Sequence, residues 1–502
     1  MLMSVTIELA WDAPGPGMWF LAREHVPAPV SRLYFEALVE GATGWDDAAA
    51  RYGLPDGETR WGCVHGWMYY GGRPQVTGDV LAARERAATE TLRTEAWRAD
   101  LRRWHDELRP RLVATNRALQ AEDPATMDDA ALDDHFRRAV DAWFEAVPVH
   151  FAQHHAYSVG GGALLEQLLA QGRTRTEVMA QLAGGSPGSA RARELIDAIV
   201  EEVGDRAVRS IDDLRGPALE AYLAEFGWRG VERDLCGAAL IERPEVIVAS
   251  VAARQRGHGG RVQPVSTGDP LLDELRALYG LNDDNGGITI AWPMGLVRRA
   301  GLELGRRLGL HVPSDIFECT RAEARTVAST RSPSADELRA RAAARAAADG
   351  ADPPPVLSGA DAGDPPPAPL PPSVARVDAL RNVLWSADGV PTTTGEADGL
   401  RGIGIGDGVY RGRACVIDVV GLDELEPGDV LVAFATGSQH NTIFPIAGAV
   451  ATETGGALSH PAVLSRELGL PAVVGVRGLL ARVTTGDTVE VDAAAGVVRV
   501  VE

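Results

Sequence analysis

The chain contains no lysine, so all 49 of its basic residues are arginine. This absence excludes a Schiff-base lysine, the lysine of a phosphate-binding P-loop and the lysine that kinases place on ATP phosphates. Any chemistry on nucleotide phosphates would have to depend on arginine, on backbone amides or on a partner protein.

Positive charge and cysteine are also scarce. The formal net charge of −21 argues against nucleic acid and anionic membranes as partners, because both are bound largely through excess basic residues. The four cysteines are far apart and form no CxxC pair. This spacing indicates buried or incidental thiols rather than a zinc site or a disulfide framework, and we predict no metal site in this chain.

Long hydrophobic runs are missing as well. No stretch of about 18 uncharged apolar residues occurs, and the first residues carry no basic segment ahead of an apolar one. We therefore expect neither a membrane span nor a signal peptide, and we predict a cytoplasmic protein.

The length of 502 residues predicts more than one domain, since single cores rarely grow beyond about 250–300 residues. Residues 349–375 are rich in proline, alanine, glycine and aspartate, with few large apolar side chains, which predicts an extended, semi-rigid linker. We thus predict a large N-terminal domain over 1–345, a linker region over 346–395 and a second domain over 396–502.

The two predicted domains differ in hydrophobic period. Between Ala82 and Leu119, large apolar residues recur every three or four positions, and similar helical patterns continue to Phe226. After Leu400 the pattern changes to short β-branched runs separated by turns, with one helical stretch at Pro461–Leu468. The predicted fold class is multidomain α+β, with a mostly helical N-terminal domain and a small C-terminal α/β domain.

One loop of the C-terminal part carries the strongest chemical signal, the stretch TETGGALSHPAVLSRE at 452–467. Gly455 and Gly456 precede a helix whose first N–H groups form an anion site. An imidazole there, His460, could carry a phosphoryl group, with the hydroxyls of Thr454 and Ser459 as orienting partners. Taken alone, the pattern also fits a hydrogen-bonded structural histidine.

The wider segment from Leu400 to Val500 resembles the swivelling phosphohistidine domain of the phosphoenolpyruvate (PEP)-utilising enzymes. That family includes phosphoenolpyruvate synthase, pyruvate phosphate dikinase, rifampin phosphotransferase and phenylphosphate synthase. The resemblance implies a small β/β/α domain, and it implies that His460 is the phosphorylated, catalytic residue. The phosphate loop that the resemblance implies consists of Thr454, Gly455, Gly456 and Ser459.

Further positions of the C-terminal part can be compared with the motifs of the same family. Arg466 and Glu467 fall at the positions of its Ala-Arg-Glu motif. Pro461 replaces a frequent alanine, which the first turn of a helix tolerates. The segment 436–442, TGSQHNT, replaces the usual Thr-x-Pro.

Patches of the N-terminal part resemble the central domain of phosphoenolpyruvate synthase-like members, in FGWRGVERDL at 226–235 and LGRRL at 304–308. The resemblance implies an acceptor-binding domain in which Arg229, Glu232 and Arg306 contribute to the site. An ion-pair network between helices remains the alternative for these residues.

Histidines and aromatics offer a second group of candidate acceptor-site residues. His150 and His154 have HxxxH spacing but lack the HExxH glutamate, which favours core or pocket-lining histidines over metal ligands. The segment Trp61–Tyr70 contains His65 and Trp67 among several aromatics. It fits either a wall for a flat, hydroxyl-bearing acceptor with His65 as base, or a strand packed into the core.

Residues 1–345 show no pattern of an ATP-grasp domain. We therefore expect a phosphotransferase subunit that binds no cofactor itself, with Mg²⁺ and ATP held by a separate ATP-grasp partner subunit. The predicted acceptor is a hydroxylated small molecule, with aromatic compounds among the candidates. A different donor such as phosphoenolpyruvate, or a non-catalytic carrier, remains the alternative.

Overall fold

The computed structural model describes most of the chain. The described residues are 9–23, 26, 28–182, 185–231, 234–256, 267–360, 368–384, 399–417, 425–436, 443–456 and 459–501.

Helices make up most of the N-terminal part. They are α1 (Arg32–Tyr52), α2 (Gly78–Thr94), α3 (Trp97–Arg103), α4 (Arg109–Ala121), α5 (Asp129–Ala170), α6 (Arg175–Ala180), α7 (Pro187–Val203), α8 (Pro217–Phe226), α9 (Pro244–Gln255), α10 (Pro270–Gly286), α11 (Trp292–Arg307), α12 (Arg321–Ala324), α13 (Val327–Thr330), α14 (Ala335–Asp349) and α15 (Pro372–Val383).

The 42-residue helix α5 is the centre of this part, and α1, α10, α11 and α15 all pack on it. Its first turn is capped by Asp128, whose carboxylate accepts a 2.8 Å hydrogen bond from the Ala131 N–H. Helix α1 approaches α5 closely because Gly44 stands where a Cβ would overlap the carbonyl group of Pro148.

A four-stranded sheet lies beside these helices. Its strands are β1 (Met18–Leu21), β2 (Trp61–Val64), β3 (Trp67–Tyr70) and β4 (Val356–Ser358), in the order β2-β3-β1-β4. Strand β4 comes from the proline-rich segment that composition predicts to be a linker. It pairs antiparallel with β1, so Val356 lies opposite Phe20.

Helix α15 also lies within the predicted linker region. Its side chains Val374, Val377 and Leu380 are buried in one apolar cluster with residues of α5 and α10. The described parts of 346–395 are thus packed on the helical domain, unlike the extended linker expected for 349–375. Three apolar residues at helical spacing supply enough buried surface to hold α15 in place.

The C-terminal part forms an eight-stranded sheet with one described helix, α16 (His460–Leu468). The strands are β5 (Leu400–Arg401), β6 (Ile403–Ile405), β7 (Val409–Ile417), β8 (Val430–Ala433), β9 (Ala449–Thr452), β10 (Ala472–Val474), β11 (Thr488–Asp492) and β12 (Val497–Val500). Their order is β5-β12-β11-β7-β8-β9-β10-β6, and β7, β8, β9 and β10 are parallel neighbours. The predicted multidomain α+β fold class is confirmed.

No helix among the described residues is both long enough and apolar enough to cross a membrane.

The contact between α1 and α5 generates the first prediction. We expect Gly44→Ala to lower the free energy of unfolding by about 1–3 kcal/mol, because its methyl group would force the two helices apart. The midpoint of urea unfolding, followed by tryptophan fluorescence, measures this change. Gly350→Ala is the matched control, because no atom lies within 4 Å of a Cβ there. Equal midpoints for both variants would contradict the close packing described.

Candidate functional site

The candidate site is built where two parallel strands of the C-terminal sheet end. Strands β8 and β9 pair so that Ala433 lies opposite Thr452, and the chain leaves both strands on the same edge. Helix α16 begins at His460, with Ser459 as its extended N-cap residue and Pro461 in its first turn. Carboxyl ends of parallel strands facing a helix N-terminus are a common place for anionic ligands.

The predicted phosphate loop is held by its own hydrogen bonds. The N–H and the hydroxyl of Thr454 both donate to the Phe434 carbonyl at 2.9 Å, and the Ser459 hydroxyl donates to the Gly456 carbonyl at 2.8 Å. Gly455 has a φ of +126°, and a Cβ there would lie 2.7 Å from the Ser459 hydroxyl oxygen. Only glycine fits this position without strain.

The imidazole of His460 is positioned by a residue that the sequence analysis did not assign. Its Nδ1 lies 2.8 Å from the hydroxyl of Thr436, which is 7% exposed. The ring of Phe444 meets the imidazole edge-on, with centroids 5.7 Å apart. Thr436 is the first residue of the segment 436–442, which the sequence alone identifies only as a departure from the Thr-x-Pro pattern. Residues 437–442 of this segment lie outside the described part of the chain.

The far end of α16 is buried against the helical domain. The hydroxyl of Tyr279 in α10 donates to the Val463 carbonyl at 3.0 Å. The guanidinium of Arg466 lies beside Tyr279, and burial lowers the pKa of Arg466 while the nearby Tyr279 raises it. The family-matched Arg466 thus contributes to the contact between the domains.

A second polar contact crosses the same interface. Arg193 of α7 donates to the backbone carbonyl of Glu467, and its guanidinium lies 3.8 Å from the Glu467 carboxylate. The side chain of Glu467 is 0% exposed and that of Arg193 12% exposed. Burial of such charged groups is favourable only when they are paired, so this contact favours one docking geometry.

Apolar residues complete the docking interface between the two domains. They belong to one buried cluster, contributed by Ile196, Ile199, Tyr222, Ile247 and Val251 on α7–α9 and by Phe444, Val450, Leu464, Leu468 and Val474 of the C-terminal domain.

Two of the predicted acceptor-site residues lie together on α5. The Nε2 atoms of His150 and His154 are 3.3 Å apart, and the ring of Trp45 on α1 lies 5.8 Å from that of His154. No group of three His, Cys, Asp or Glu side chains suited to a metal ion occurs among the described residues. The HxxxH spacing therefore places the imidazoles of His150 and His154 next to each other on α5.

The structure places three other predicted acceptor residues elsewhere. His65 is at the exposed tip of the β2–β3 hairpin, where its Nε2 lies 2.7 Å from the Ala10 carbonyl. Trp67 is 2% exposed and donates to the Ala348 carbonyl at 3.0 Å. Arg306 is on the surface, paired with Glu303 on the same helix.

Arg229 belongs to the packing between helices. Its guanidinium carbon is 4.1 Å from the ring centre of Phe226 and 5.8 Å from that of Trp292. Burial lowers its pKa, and Asp284 opposes that shift. Glu232 lies outside the described residues.

Comparisons with known proteins agree with the geometry of the His460 loop. Residues 425–496 match the model of the PEP-utilising enzyme, mobile domain. The chain is 42% identical over 100 residues to a probable phosphoenolpyruvate synthase of Pyrococcus abyssi, which is 20% of this chain and 12% of that protein. It is 40% identical over 101 residues to an uncharacterised phosphotransferase, YvkC, of Bacillus subtilis, with the same coverage of 20% and 12%.

A longer match is found with a protein of Mycobacterium tuberculosis. That relative, an uncharacterised protein, is 32% identical over 332 residues, which is 62% of this chain and 35% of the relative. The chain thus spans about a third or less of the length of the curated relatives it matches.

The docking interface generates the second prediction. We expect Arg193→Gln to speed amide hydrogen exchange in α16 by about tenfold, because a hydrogen bond to a charged group contributes about 1.5–3 kcal/mol. Peptide-resolved exchange mass spectrometry measures this rate. Arg191→Gln is the matched control, because Arg191 is on the same helix and, among the described residues, its ion pairs are with Glu194 and Glu225 of its own domain. Unchanged exchange of α16 in Arg193→Gln would contradict the assigned contact.

Proposed function

Because the chain carries the mobile domain of the PEP-utilising enzymes, we propose that it is a phosphotransferase component in which His460 carries the phosphoryl group. The observation that carries this proposal is the position of the imidazole. His460 begins a helix, its Nδ1 is held by Thr436, and the glycine loop in front of it is fastened by its own hydroxyls.

The Thr436 contact supports Nε2 as the reacting nitrogen. When the Nδ1–H of His460 donates to the Thr436 hydroxyl, Nε2 carries the lone pair that attacks phosphorus. A P–N bond forms as the bond from phosphorus to the donor breaks, and the N-terminal amides of α16 stabilise the phosphoryl oxygens. In the second step the acceptor oxygen bonds to phosphorus, the P–N bond breaks and the acceptor hydroxyl loses its proton to a base.

The proposed mechanism includes movement of the C-terminal domain. In the present arrangement α16 is docked on the helical domain, which is where an acceptor would be bound. We propose that the domain leaves this position to be charged and returns to deliver the group. Strand β4 and helix α15 are packed on the helical domain and would stay with it during that movement.

The proposed donor is ATP bound with Mg²⁺ on a separate ATP-grasp subunit. The absence of lysine supports this, because the usual lysine contacts to ATP phosphates are impossible in this chain. Phosphoenolpyruvate as the donor is the second candidate, favoured by the likeness of the mobile domain to a probable phosphoenolpyruvate synthase. The proposed acceptor is a small molecule with a hydroxyl group.

The third prediction concerns the phosphoryl carrier. The full chain, incubated with ³²P-labelled ATP, Mg²⁺ and the proposed ATP-grasp partner, should gain label that is lost in acid and kept in base. His460→Ala should gain none, whereas His65→Gln, a histidine control at the exposed hairpin tip, should be labelled like the natural chain. Label that appears equally in His460→Ala would contradict the proposal. Labelling by ³²P-phosphoenolpyruvate alone would assign the donor to the second candidate.

The fourth prediction concerns Thr436. We expect Thr436→Val to slow the labelling of His460 by about tenfold, because one orienting hydrogen bond contributes about 1–1.5 kcal/mol. Thr436→Ser keeps the hydroxyl and should stay within about twofold of the natural rate. Rapid-quench measurement of the labelling rate distinguishes the two variants, and equal rates would remove Thr436 from the mechanism.

A further inference from the structure

Helices α7 and α16 lie side by side at the docking interface and run in the same direction. Tyr279 of α10 lies between them: its hydroxyl donates to the Val463 carbonyl of α16 at 3.0 Å, and a Cβ on Gly185, just ahead of α7, would be 3.2 Å from its ring. Farther along both helices, Arg193 donates to the Glu467 carbonyl. The imidazole that begins α16 is therefore at the same end of the interface as the first turn of α7.

A carboxylate is held at that end by the first turn of α7. The hydroxyls of Ser186, the N-cap residue, and of Ser189 donate to one oxygen of Asp283 in α10, the second of them at 2.8 Å. The next residue, Asp284, is 6% exposed and accepts from the Nε of Arg109 at 2.5 Å. Asp284 is thus neutralised by an arginine, whereas Asp283 is held by hydroxyls and forms no ion pair with the described residues.

An arginine without an ion pair lies over the same part of α10. A Cβ on Gly287, one turn after Asp283, would be 2.7 Å from Nη1 of Arg229. Residues 287–291 form a single π-helical turn, a feature that is frequent at functional sites. The Nε of Arg229 is buried without a hydrogen-bond partner, and no carboxylate of the described residues lies within ion-pairing distance of this guanidinium. A cation left in this state suits the oxygens of a phosphoryl group.

This end of the docking interface is accessible to solvent. Asp283, Arg229 and His460 are each partly exposed, whereas Glu467 at the other end of α16 is 0% exposed. Water, and with it an acceptor hydroxyl, therefore has access to these side chains while the C-terminal domain is docked. A proton taken up by Asp283 also has a path to solvent.

The surroundings of Asp283 suit it to accept a proton. Burial raises the pKa of Asp283, and the hydroxyls of Ser186 and Ser189 lower it. The charge of Asp284 adds to the rise, while that of Arg229 opposes it. A raised pKa brings a carboxylate closer to neutral pH, where a general base is most effective.

We propose that Asp283 is the general base of the second transfer step and that Arg229 binds the phosphoryl group during this step. The inference rests on the proposed function, because the group that is transferred comes from His460. The acceptor oxygen bonds to phosphorus, the P–Nε2 bond breaks with its electron pair returning to the imidazole, and the hydroxyl proton moves to the Asp283 carboxylate. The guanidinium of Arg229 and the positive N-terminal ends of α7 and α16 stabilise the phosphoryl oxygens.

Binding of orthovanadate to the uncharged full chain tests this site without any transfer, because vanadate adopts the five-coordinate geometry of phosphorus between the imidazole and an acceptor oxygen. We expect Arg229→Gln to weaken binding, measured by equilibrium dialysis, about tenfold, since a hydrogen bond between charged groups contributes about 1.5–3 kcal/mol. Arg306→Gln is the matched control, because Arg306 is on the surface with Glu303, and it should bind like the natural chain.

Equal orthovanadate binding by Arg229→Gln and the natural chain, or no binding by the natural chain, would overturn the role of Arg229. Binding that is weakened in both His460→Ala and Arg229→Gln, in a chain that is never labelled on His460, would keep the site and overturn the proposed function instead.

Loss of label from the charged full chain to water tests the base, with water as the acceptor hydroxyl. Once freed of donor, Asp283→Asn should lose ³²P from His460 at least about tenfold more slowly than the natural chain, because it lacks the base. Its labelling rate should stay within about twofold, since charging takes place away from α10 in the proposed mechanism. Asp205→Asn is the matched control, because Asp205 is exposed beyond the other end of α7, and both of its rates should be natural.

Loss of label at the natural rate in Asp283→Asn would overturn the role of Asp283 as base. Equal slowing of labelling and of loss would show that Asp283 is structural, and that result would overturn the role as well.

Discussion

The close packing of α5 against its neighbours is the constraint on which the rest of the structure depends. Helix α1 reaches α5 only because Gly41 and Gly44 leave room for Phe151 and for the backbone of Pro148. That close approach places Trp45 over the histidines of α5. Further along α5, Gly162 allows α15 to pack where a Cβ would overlap the Leu380 carbonyl. The histidines of α5 and the surface that contacts α16 are therefore held by the same set of packed helices.

The docking interface of α16 has the composition expected if the C-terminal domain is released as proposed. Its interface contains an apolar cluster together with buried charged groups, Arg466 and Glu467. Burying charges offsets much of the free energy that their pairing contributes, so such an interface favours one geometry without great stability. Interfaces between domains that move relative to one another are more polar than those of permanent assemblies. The family-matched Arg466 and Glu467 thus have a physical role in docking.

The sequence predicts the His460 loop because its determinants are local. Two glycines, an N-cap serine and a first-turn proline occur within a few residues of one another, and each has a known backbone preference. Thr436 could not be predicted in this way, because it reaches His460 only through the pairing of β8 with β9, across 24 residues of sequence. The rule that neighbouring parallel strands end at the same edge of a sheet was the one available signal.

Composition predicted the structure of the proline-rich region, and the positions of the candidate acceptor residues, less well. An extended chain with few apolar side chains can still pair through its backbone, as β4 does with β1. The apolar stripe of α15 is only three residues long and is easily overlooked among prolines and alanines. Residue type alone does not distinguish His65 from His150. The turn geometry at Gly66 and the packing of α5 place the two histidines in different surroundings.

The proposed function depends on a P–N bond between phosphorus and Nε2 of His460. Phosphorus and nitrogen NMR spectra of the charged full chain, prepared with ¹⁵N-labelled histidine, test this bond most directly. We expect one phosphorus resonance that is coupled to the Nε2 of a single histidine and is missing in His460→Ala. Phosphorus bonded to Nδ1, or to another histidine, would contradict the proposed function.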